Sequence, residues 1–251
     1  MRVRQGFFMG VVCLCLWTPM AMAGEVVVSA AASLTNAFKA VAEQFQSKHP
    51  DAKVLLNFGA SDVVLQQIIN GAPADVFASA DQISMDKAVA AKVVQASTRT
   101  DFVQNEVVMI VPGDSKLGIH TVSDLSKADV KRVTLGNPAS VPVGRYTEAS
   151  LKQAGAWETV QAKAILAQNV RQALDYVARG EVDAGFVFAT DAATMPAKVT
   201  VVQHLTSASP VLYPLALTTR AAQNPQAKQF VDFILSSEGQ AILAKFGFKK
   251  P

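Results

Sequence analysis

The chain has 251 residues, of which 50% are hydrophobic and 17% are charged, so it can bury a substantial core and is not expected to be disordered. Its formal net charge is +3. Such a small charge, with no cluster of Lys and Arg interleaved with aromatic residues, argues against nucleic-acid binding.

An export signal is predicted over residues 1–23. Arg2 and Arg4 form its positive region, residues 7–17 form its apolar region, and Ala21-Met22-Ala23 fits a small-x-small cleavage site. Removing this segment leaves 21 basic against 20 acidic side chains, a net charge of about +1. We therefore predict a periplasmic protein that begins near Gly24.

Membrane attachment is the alternative for the same segment. Its apolar region is well short of the ~20 residues that cross a bilayer. Acylation at Cys15 is disfavoured because the residues before it form a poor processing sequence. Both cysteines, Cys13 and Cys15, lie inside the signal, so no disulfide or thiol chemistry is predicted for the mature chain. No membrane insertion is expected after cleavage.

Strands and helices alternate through the rest of the chain. Apolar runs predict strands at 26–29, 54–58, 75–79, 106–111, 132–135, 185–188, 199–202 and 213–218. Helical spacing predicts helices at 34–49, 62–70, 147–153 and 169–179, and further helices within 225–246. Gly71, Gly155 and Gly180 follow three of these helices as candidate left-handed caps. The βαβ rhythm predicts mostly parallel sheets flanked by helices.

Two such βα sets predict two α/β lobes. We assign residues 24–102 and 212–251 to lobe I and residues 103–211 to lobe II, with crossovers near 100–105 and 209–219. A ligand is expected in the cleft between them, outside the carboxyl ends of the strands.

Four segments share one pattern, a short apolar strand followed by small and hydroxyl residues and then a helix. They start at Val26, at Val54, at Val133 and just before Asn169. Helix N-termini leave backbone N–H groups unpaired and carry partial positive charge. Several of them aimed at one point would bind an anion without Lys or Arg, so the pattern predicts an oxyanion receptor.

Several motifs resemble those of the periplasmic molybdate-binding proteins of ABC importers. They are AAASLTNAF (30–38), NGAPADVFASAD (70–81), GNPASVPVGRY (136–146), NVRQALDYVARGEVDAGFVFATDA (169–192) and the closing SSEGQAILAKFGF. The similarity covers nearly all of the mature chain in order and with matching spacing. It implies a two-lobed periplasmic binding protein fold of type II that closes over molybdate or tungstate and delivers it to a membrane permease.

The resemblance also implies a set of ligand-binding residues. The family's two serines fall on Ser33 and Ser61, its two backbone N–H donors on Val143 and Val170, and its tyrosine on Phe188. Phenylalanine has no hydroxyl, and a lost hydrogen bond to a charged acceptor costs ~1.5–3 kcal/mol. Serine hydroxyls and N–H groups favour fully deprotonated dianions over hydrogen phosphate, whose proton needs an acceptor.

Each of these residues has a purely structural interpretation too. Ser33 and Ser61 could be helix N-caps, worth ~1 kcal/mol without a ligand. Val143 and Val170 could be core or helix-start residues, and Phe188 a core aromatic.

The charged residues near these positions are predicted to stay out of the cleft. Asp62 is expected to be exposed, or in a minority alternative to join a metal coordination sphere. Arg145 and Arg171, each close to a proposed ligand residue, are predicted to lie on the surface.

Other functions remain open at this point. The anion could be sulfate, thiosulfate or another oxyanion. A periplasmic enzyme that uses Ser33 or Ser61 with an Asp, or a sensor domain, is less favoured because no hydrolase, nucleotide or helix-turn-helix motif is found. His49, His120 and His204 lack metal-ligand spacing. We expect no enzyme activity, no cofactor, no protein-bound metal, and a monomer.

Overall fold

The computed structural model describes residues 24–207 and 209–251. The predicted export signal, residues 1–23, lies outside the described residues. Within them, no helix is both long and apolar enough to span a bilayer.

Strands and helices alternate along the described residues. The ten strands found there are β1 (Gly24–Ala31), β2 (Ala52–Gly59), β3 (Val76–Ala78), β4 (Thr100–Asn105), β5 (Val107–Pro112), β6 (Val133–Gly136), β7 (Ala164–Ala167), β8 (Ala184–Phe188), β9 (Val199–His204) and β10 (Val211–Leu217). The α-helices of the same part of the chain are α1 (Thr35–Lys48), α2 (Ser61–Ile69), α3 (Gln82–Ala90), α4 (Pro142–Gln153), α5 (Trp157–Gln161), α6 (Val170–Ala178), α7 (Ala189–Ala192), α8 (Pro225–Leu235) and α9 (Ser237–Lys245).

The strands form two five-stranded sheets with the same plan. Their strand orders are β2-β1-β3-β10-β4 and β7-β6-β8-β5-β9. In the first sheet, β10 runs antiparallel to both of its neighbours, and in the second sheet β5 does so. The other four strands of each sheet point the same way. The predicted two-lobed α/β fold is confirmed, with mixed sheets in which one strand is reversed.

The reversed strand is in each case the first one after the chain changes sheets. The chain leaves the first sheet after Asn105 and returns to it at Val211. We call the part built on the first sheet lobe I and the part built on the second sheet lobe II. The sequence division placed the first boundary between residues 102 and 103, whereas β4 continues in the first sheet to Asn105.

Helices cover the sheets because their apolar faces match the buried faces of the strands. In α1, the buried residues Phe38, Val41 and Phe45 lie at helical spacing. Phe45 packs edge-on against Phe230 of α8, with ring centroids 5.2 Å apart. Apolar residues of both lobes belong to one continuous core. A single core therefore extends through both lobes.

Candidate functional site

All five residues that were predicted to bind the ligand line one cavity between the lobes. The space not filled by protein atoms, including the part that is open to solvent, is about 200 Å³. Its lining consists of Ala31, Ala32, Ser33, Gly59, Ala60, Ser61 and Ala80 from lobe I, and Val141, Pro142, Val143, Val170 and Phe188 from lobe II. No ionisable side chain occurs among these described lining residues, so the polar groups that face the cavity are hydroxyls and backbone groups.

Four strand-to-helix turns build this lining, as their shared sequence pattern predicted. A 3₁₀ turn (Ala32–Leu34) follows β1, while α2, α4 and α6 begin beside the cavity. The N-cap residues of the first three elements are Ala31, Ala60 and Val141, which make no side-chain cap hydrogen bond. Their leading N–H groups, which have no intrahelical partner, are left for another acceptor.

Ser61 has an oxygen that already accepts a hydrogen bond from the protein. It is fully buried at the first position of α2, and its Oγ accepts from the Ala80 N–H at 3.0 Å. The residue before it, Ala60, is the N-cap. The N-cap interpretation of Ser61 is therefore wrong, and its own O–H is available to donate.

Ser33 lies within the 3₁₀ turn and is 3% exposed. Its Oγ is 3.0 Å from the hydroxyl of Tyr213. Ala31 is the N-cap of that turn and makes no side-chain cap bond. Ser33 is thus not an N-cap either, and its hydroxyl sits between a tyrosine and the cavity.

Val143 and Val170 bring backbone donors from lobe II. Val143 follows Pro142, which occupies the first position of α4 and has no N–H of its own. Val170 is the first residue of α6, whose N-cap Asn169 accepts from the Gln172 N–H at 3.0 Å. Both valines are buried, as their structural interpretation expected, and both are among the residues that line the cavity.

Gly144 allows α4 to approach β6 closely enough to present Val143. A Cβ atom at Gly144 would lie 2.0 Å from the carbonyl oxygen of Gly136, the last residue of β6. No side chain can occupy that space without moving the helix. The glycine is therefore a packing requirement of the turn.

Phe188 ends β8 and is 1% exposed. Its ring packs against two tyrosines, Tyr146 at 6.4 Å and Tyr213 at 5.6 Å between centroids. It is a core aromatic, as one interpretation expected, and it also borders the cavity. Sequence reasoning missed Tyr213 because it lies in a strand with an ordinary apolar pattern.

Arg145 joins the two lobes beside the cavity, so its predicted surface position is wrong. Its guanidinium is 2.6 Å from a carboxylate oxygen of Asp62 and 2.6 Å from one of Asp81, both in lobe I. The side chain of Asp62 is only 13% exposed and also pairs with Lys87 at 2.7 Å, so its predicted exposure is wrong as well. Burial by itself would lower the pKa of Arg145, but the carboxylates of Asp81 and Asp62 raise it by a larger amount. The pKa therefore lies above its ordinary value, and the guanidinium stays charged.

Arg171 makes a second connection between the lobes. It pairs with the buried Asp191 of its own lobe and donates to Asn36 Oδ1 of lobe I at 2.9 Å. Its predicted surface position is also wrong. Burial raises the pKa of Asp191 to about 6, against the opposing effect of Arg171. Both arginines are thus engaged by protein partners and do not line the cavity.

Metal ligands are not clustered in the part of the chain that the structure describes: no group of three or more His, Cys, Asp or Glu residues is found there. Asp62, the candidate for a coordination sphere, is paired with two cations. The arrangement at the cavity instead offers neutral hydrogen-bond donors from both lobes.

The sequence profile of the bacterial extracellular solute-binding protein family matches residues 26–249. Molybdate-binding protein ModA of Escherichia coli (strain K12) is 36% identical over 230 residues, which cover 90% of this chain and 89% of that protein.

Solved structures give the same picture of the fold. The periplasmic molybdate-binding protein of Azotobacter vinelandii superposes with a TM-score of 0.79 at 25% identity, covering 90% of this chain and 99% of that one. The sulfate-binding protein SubI of Mycobacterium tuberculosis H37Rv superposes with a TM-score of 0.76 at 18% identity, covering 90% of this chain and 87% of that one. The second likeness supports the fold alone.

Proposed function

The chain belongs to the bacterial extracellular solute-binding protein family, and we propose that it captures molybdate between its lobes and delivers it to the permease of an ABC importer. One observation carries this proposal: the cavity receives hydroxyls from lobe I and helix N-termini from both lobes, with no ionisable side chain among its described lining residues. Similarity to molybdate-binding proteins supports this choice of ligand.

The proposed contacts are the hydroxyls of Ser33 and Ser61 and the backbone N–H groups of Val143 and Val170. All four are donors, and a dianion such as molybdate carries only acceptors. Hydrogen bonds to an ion are roughly twice as strong as neutral ones, and the buried position strengthens them further. Tungstate has the same shape and charge, so the same donors would bind it.

Donors from two lobes also account for closure. An anion that touches only one lobe binds the open and the closed states equally, whereas one that bridges both lobes favours the closed state. Arg145 and Arg171 add protein contacts across the same junction. Export to the periplasm by residues 1–23, followed by cleavage near Gly24, is part of the proposal.

Sulfate is the second candidate, and the cavity lining is what favours it. Neutral donors serve any fully deprotonated tetrahedral dianion, so discrimination between molybdate and sulfate must come from size. Catalysis by Ser33 or Ser61 has less support. Ser33 Oγ is hydrogen-bonded to the Tyr213 hydroxyl, and Ser61 Oγ accepts from the backbone N–H of Ala80, so neither contact is with a base. A serine nucleophile would need a neighbouring base.

Calorimetric titration of the ligand-free protein tests the proposal. We expect one molybdate per chain, a comparable response to tungstate, and much weaker binding of sulfate. Molybdate should also raise the unfolding temperature, because a ligand that binds only the folded chain stabilises it by mass action. Equal affinity for sulfate would overturn the assignment of molybdate, and absence of any oxyanion binding would overturn the receptor proposal.

A serine variant tests whether the ligand binds in this cavity. Ser61→Ala removes one donor, and we expect the molybdate affinity to fall by about one to two orders of magnitude. Ser123→Ala, at an exposed serine of lobe II, is the matched control and should bind as the wild type does. Unchanged affinity in Ser61→Ala would place the ligand elsewhere.

A further inference from the structure

The hydroxyl of Ser33 is the end of a buried hydrogen-bond chain that begins at Asn105. Asn105 Nδ2 donates to the Tyr213 hydroxyl at 3.3 Å, and that hydroxyl lies 3.0 Å from Ser33 Oγ. Asn105, Tyr213 and Ser33 are all buried in lobe I, at the junction with lobe II. The three groups come from β4, β10 and the turn after β1.

The donor and acceptor atoms of Asn105, the first residue in this series of hydrogen bonds, can be assigned. Asn105 Oδ1 accepts from the N–H of Glu106 at 2.9 Å, so the other amide atom must be the nitrogen. That nitrogen donates to Thr190 Oγ1 at 2.8 Å and to Tyr213. An amide nitrogen cannot accept, and the Tyr213 oxygen is therefore an acceptor in this bond.

The next hydrogen bond in the series joins Tyr213 to Ser33. By distance alone, either hydroxyl could donate in the bond between Tyr213 and Ser33. The single hydrogen of Tyr213 has no other acceptor among the described contacts, because the second partner of its oxygen is the Asn105 nitrogen, and this favours Tyr213 as the donor. Burial raises the pKa of Tyr213 above its ordinary value, so the hydroxyl keeps that hydrogen. With Tyr213 as the donor, Ser33 Oγ accepts that hydrogen, and the Ser33 O–H is left to point into the cavity.

We propose that Tyr213, held by Asn105, is a positioning residue that makes Ser33 a dedicated donor to the bound anion. The inference rests on the proposed function and extends it to a determinant of specificity. Ser61 has a similar arrangement, since the Ala80 N–H takes one of the two lone pairs of its oxygen and its O–H remains to donate. Both serines thus present hydrogens to the cavity, an arrangement that suits an anion without protons and disfavours one that carries a proton.

This series of hydrogen bonds also concerns position 188, where phenylalanine has no hydroxyl. Tyr213 packs on the Phe188 ring and is the nearer of its two tyrosine neighbours. Its hydroxyl points to Ser33 and acts on the anion through that side chain. A tyrosine in lobe I thereby strengthens a donor next to the place where lobe II has none.

A double-mutant cycle with Ser33→Ala and Tyr213→Phe tests the inference in the full-length mature chain. We expect Tyr213→Phe to weaken molybdate binding about tenfold in the wild-type background and less than about twofold in Ser33→Ala, because Tyr213 acts only through Ser33. We also expect Tyr213→Phe to lower the preference for molybdate over hydrogen phosphate, since a freed Ser33 can rotate and accept. A general packing defect would weaken both anions equally.

Tyr146→Phe is the matched control. It removes the same atom from the other ring that packs on Phe188 and leaves the Ser33–Tyr213 bond in place, so it should retain the preference for molybdate over hydrogen phosphate. Equal losses from Tyr213→Phe in the two backgrounds would overturn the inference and leave the proposed function standing. A wild-type chain that binds no oxyanion would overturn both.

Discussion

At the scale of single residues, Phe188 is the position at which the proposed site lacks a hydroxyl. The ring is buried between Tyr146 and Tyr213, and the residue is among those that line the cavity. Phe188→Tyr adds a donor there. We expect molybdate affinity to be equal to that of the wild type or tighter, by up to about tenfold, as measured by calorimetry. A loss of more than tenfold would mean that the pocket is packed around phenylalanine.

Asp191 gives the protein a pH-dependent stability. Burial raises its pKa from 3.8 to about 6 in the folded chain. Between about pH 4 and pH 6 the folded chain therefore holds more protons than the unfolded chain, and the contribution of this group is greatest below pH 4 and lost as the pH rises through 6. In urea unfolding, the wild type should lose stability relative to Asp191→Asn across this interval. Parallel pH profiles for the two proteins would contradict this account.

The sequence could nominate some site residues but not others. Ser33, Ser61, Val143, Val170 and Phe188 were named from family motifs, and the structure brings them to one cavity; their contact with an anion stays a prediction. No local pattern distinguishes the two valines, because only their backbone is proposed to act.

Tyr213 could not have been found from its neighbours in the chain. It lies 180 residues from Ser33 and 108 from Asn105, so the hydrogen bonds that connect them exist only in the folded protein. The arginines were misassigned for a related reason. The sequence around Arg145 does not reveal the two carboxylates that it meets, because Asp62 and Asp81 belong to the facing lobe.

At the scale of elements, the strand-to-helix turns are the working parts of the site. Val170 offers a direct test because proline is tolerated at the first position of a helix and lacks the N–H. The preceding Asn169 has φ −161° and ψ 170°, an extended conformation of the kind that a following proline requires. Val170→Pro should therefore fold and lose about tenfold in molybdate affinity.

Val170→Ala is the control for this substitution, since it shortens the same side chain and keeps the N–H. Circular dichroism should show the same helix content in both variants. If Val170→Pro binds molybdate as tightly as Val170→Ala does, the backbone of α6 is not a ligand.

Most elements were predictable because their apolar spacing is clear, and the glycines that end helices behave as expected. Gly71, Gly155 and Gly180 all have positive φ, the region that favours glycine. Five elements were not predicted from the sequence, namely α3, α5, α7, β4 and β7. The residues of β4 (Thr100–Asn105) include only two buried apolar side chains, Phe102 and Val103, and a short polar strand resembles a linker. The start of α4 was placed five residues late because Pro142 and Gly144 look like a loop.

At the scale of the whole molecule, Arg145 contributes to the contact between the lobes. It extends from α4 of lobe II to Asp62 and Asp81 of lobe I, and it also donates to Ser84 Oγ at 3.0 Å. Removing one member of a buried ion pair leaves the partner charge uncompensated. Arg145→Gln should destabilise the closed state and weaken molybdate binding by about tenfold or more.

Lys152→Gln serves as the control because it removes a charge from the same helix at an exposed position, where the lysine pairs with Glu148. Small-angle scattering of ligand-free Arg145→Gln should show a larger radius of gyration than that of the control. Identical scattering and identical affinity would contradict a role for Arg145 in closure.

The two-lobed architecture was predictable from the sequence, but the contacts between the two lobes were not. Alternating elements predict two sheets, but the order of strands within a sheet depends on pairings that span the whole chain. β10 lies between β3 and β4 although more than a hundred residues separate it from either strand. Local sequence patterns therefore do not reveal which residues of the two lobes meet.

The central claim is that neutral donors from both lobes surround one tetrahedral dianion. A crystal of the protein grown with molybdate, with the metal located by its anomalous scattering, tests this most directly. The account predicts one molybdenum per chain, with its oxygens at hydrogen-bond distance, about 2.7–3.2 Å, from Ser33 Oγ, Ser61 Oγ and the backbone nitrogens of Val143 and Val170. Molybdenum bound elsewhere, with both serine hydroxyls turned away from it, would contradict the account.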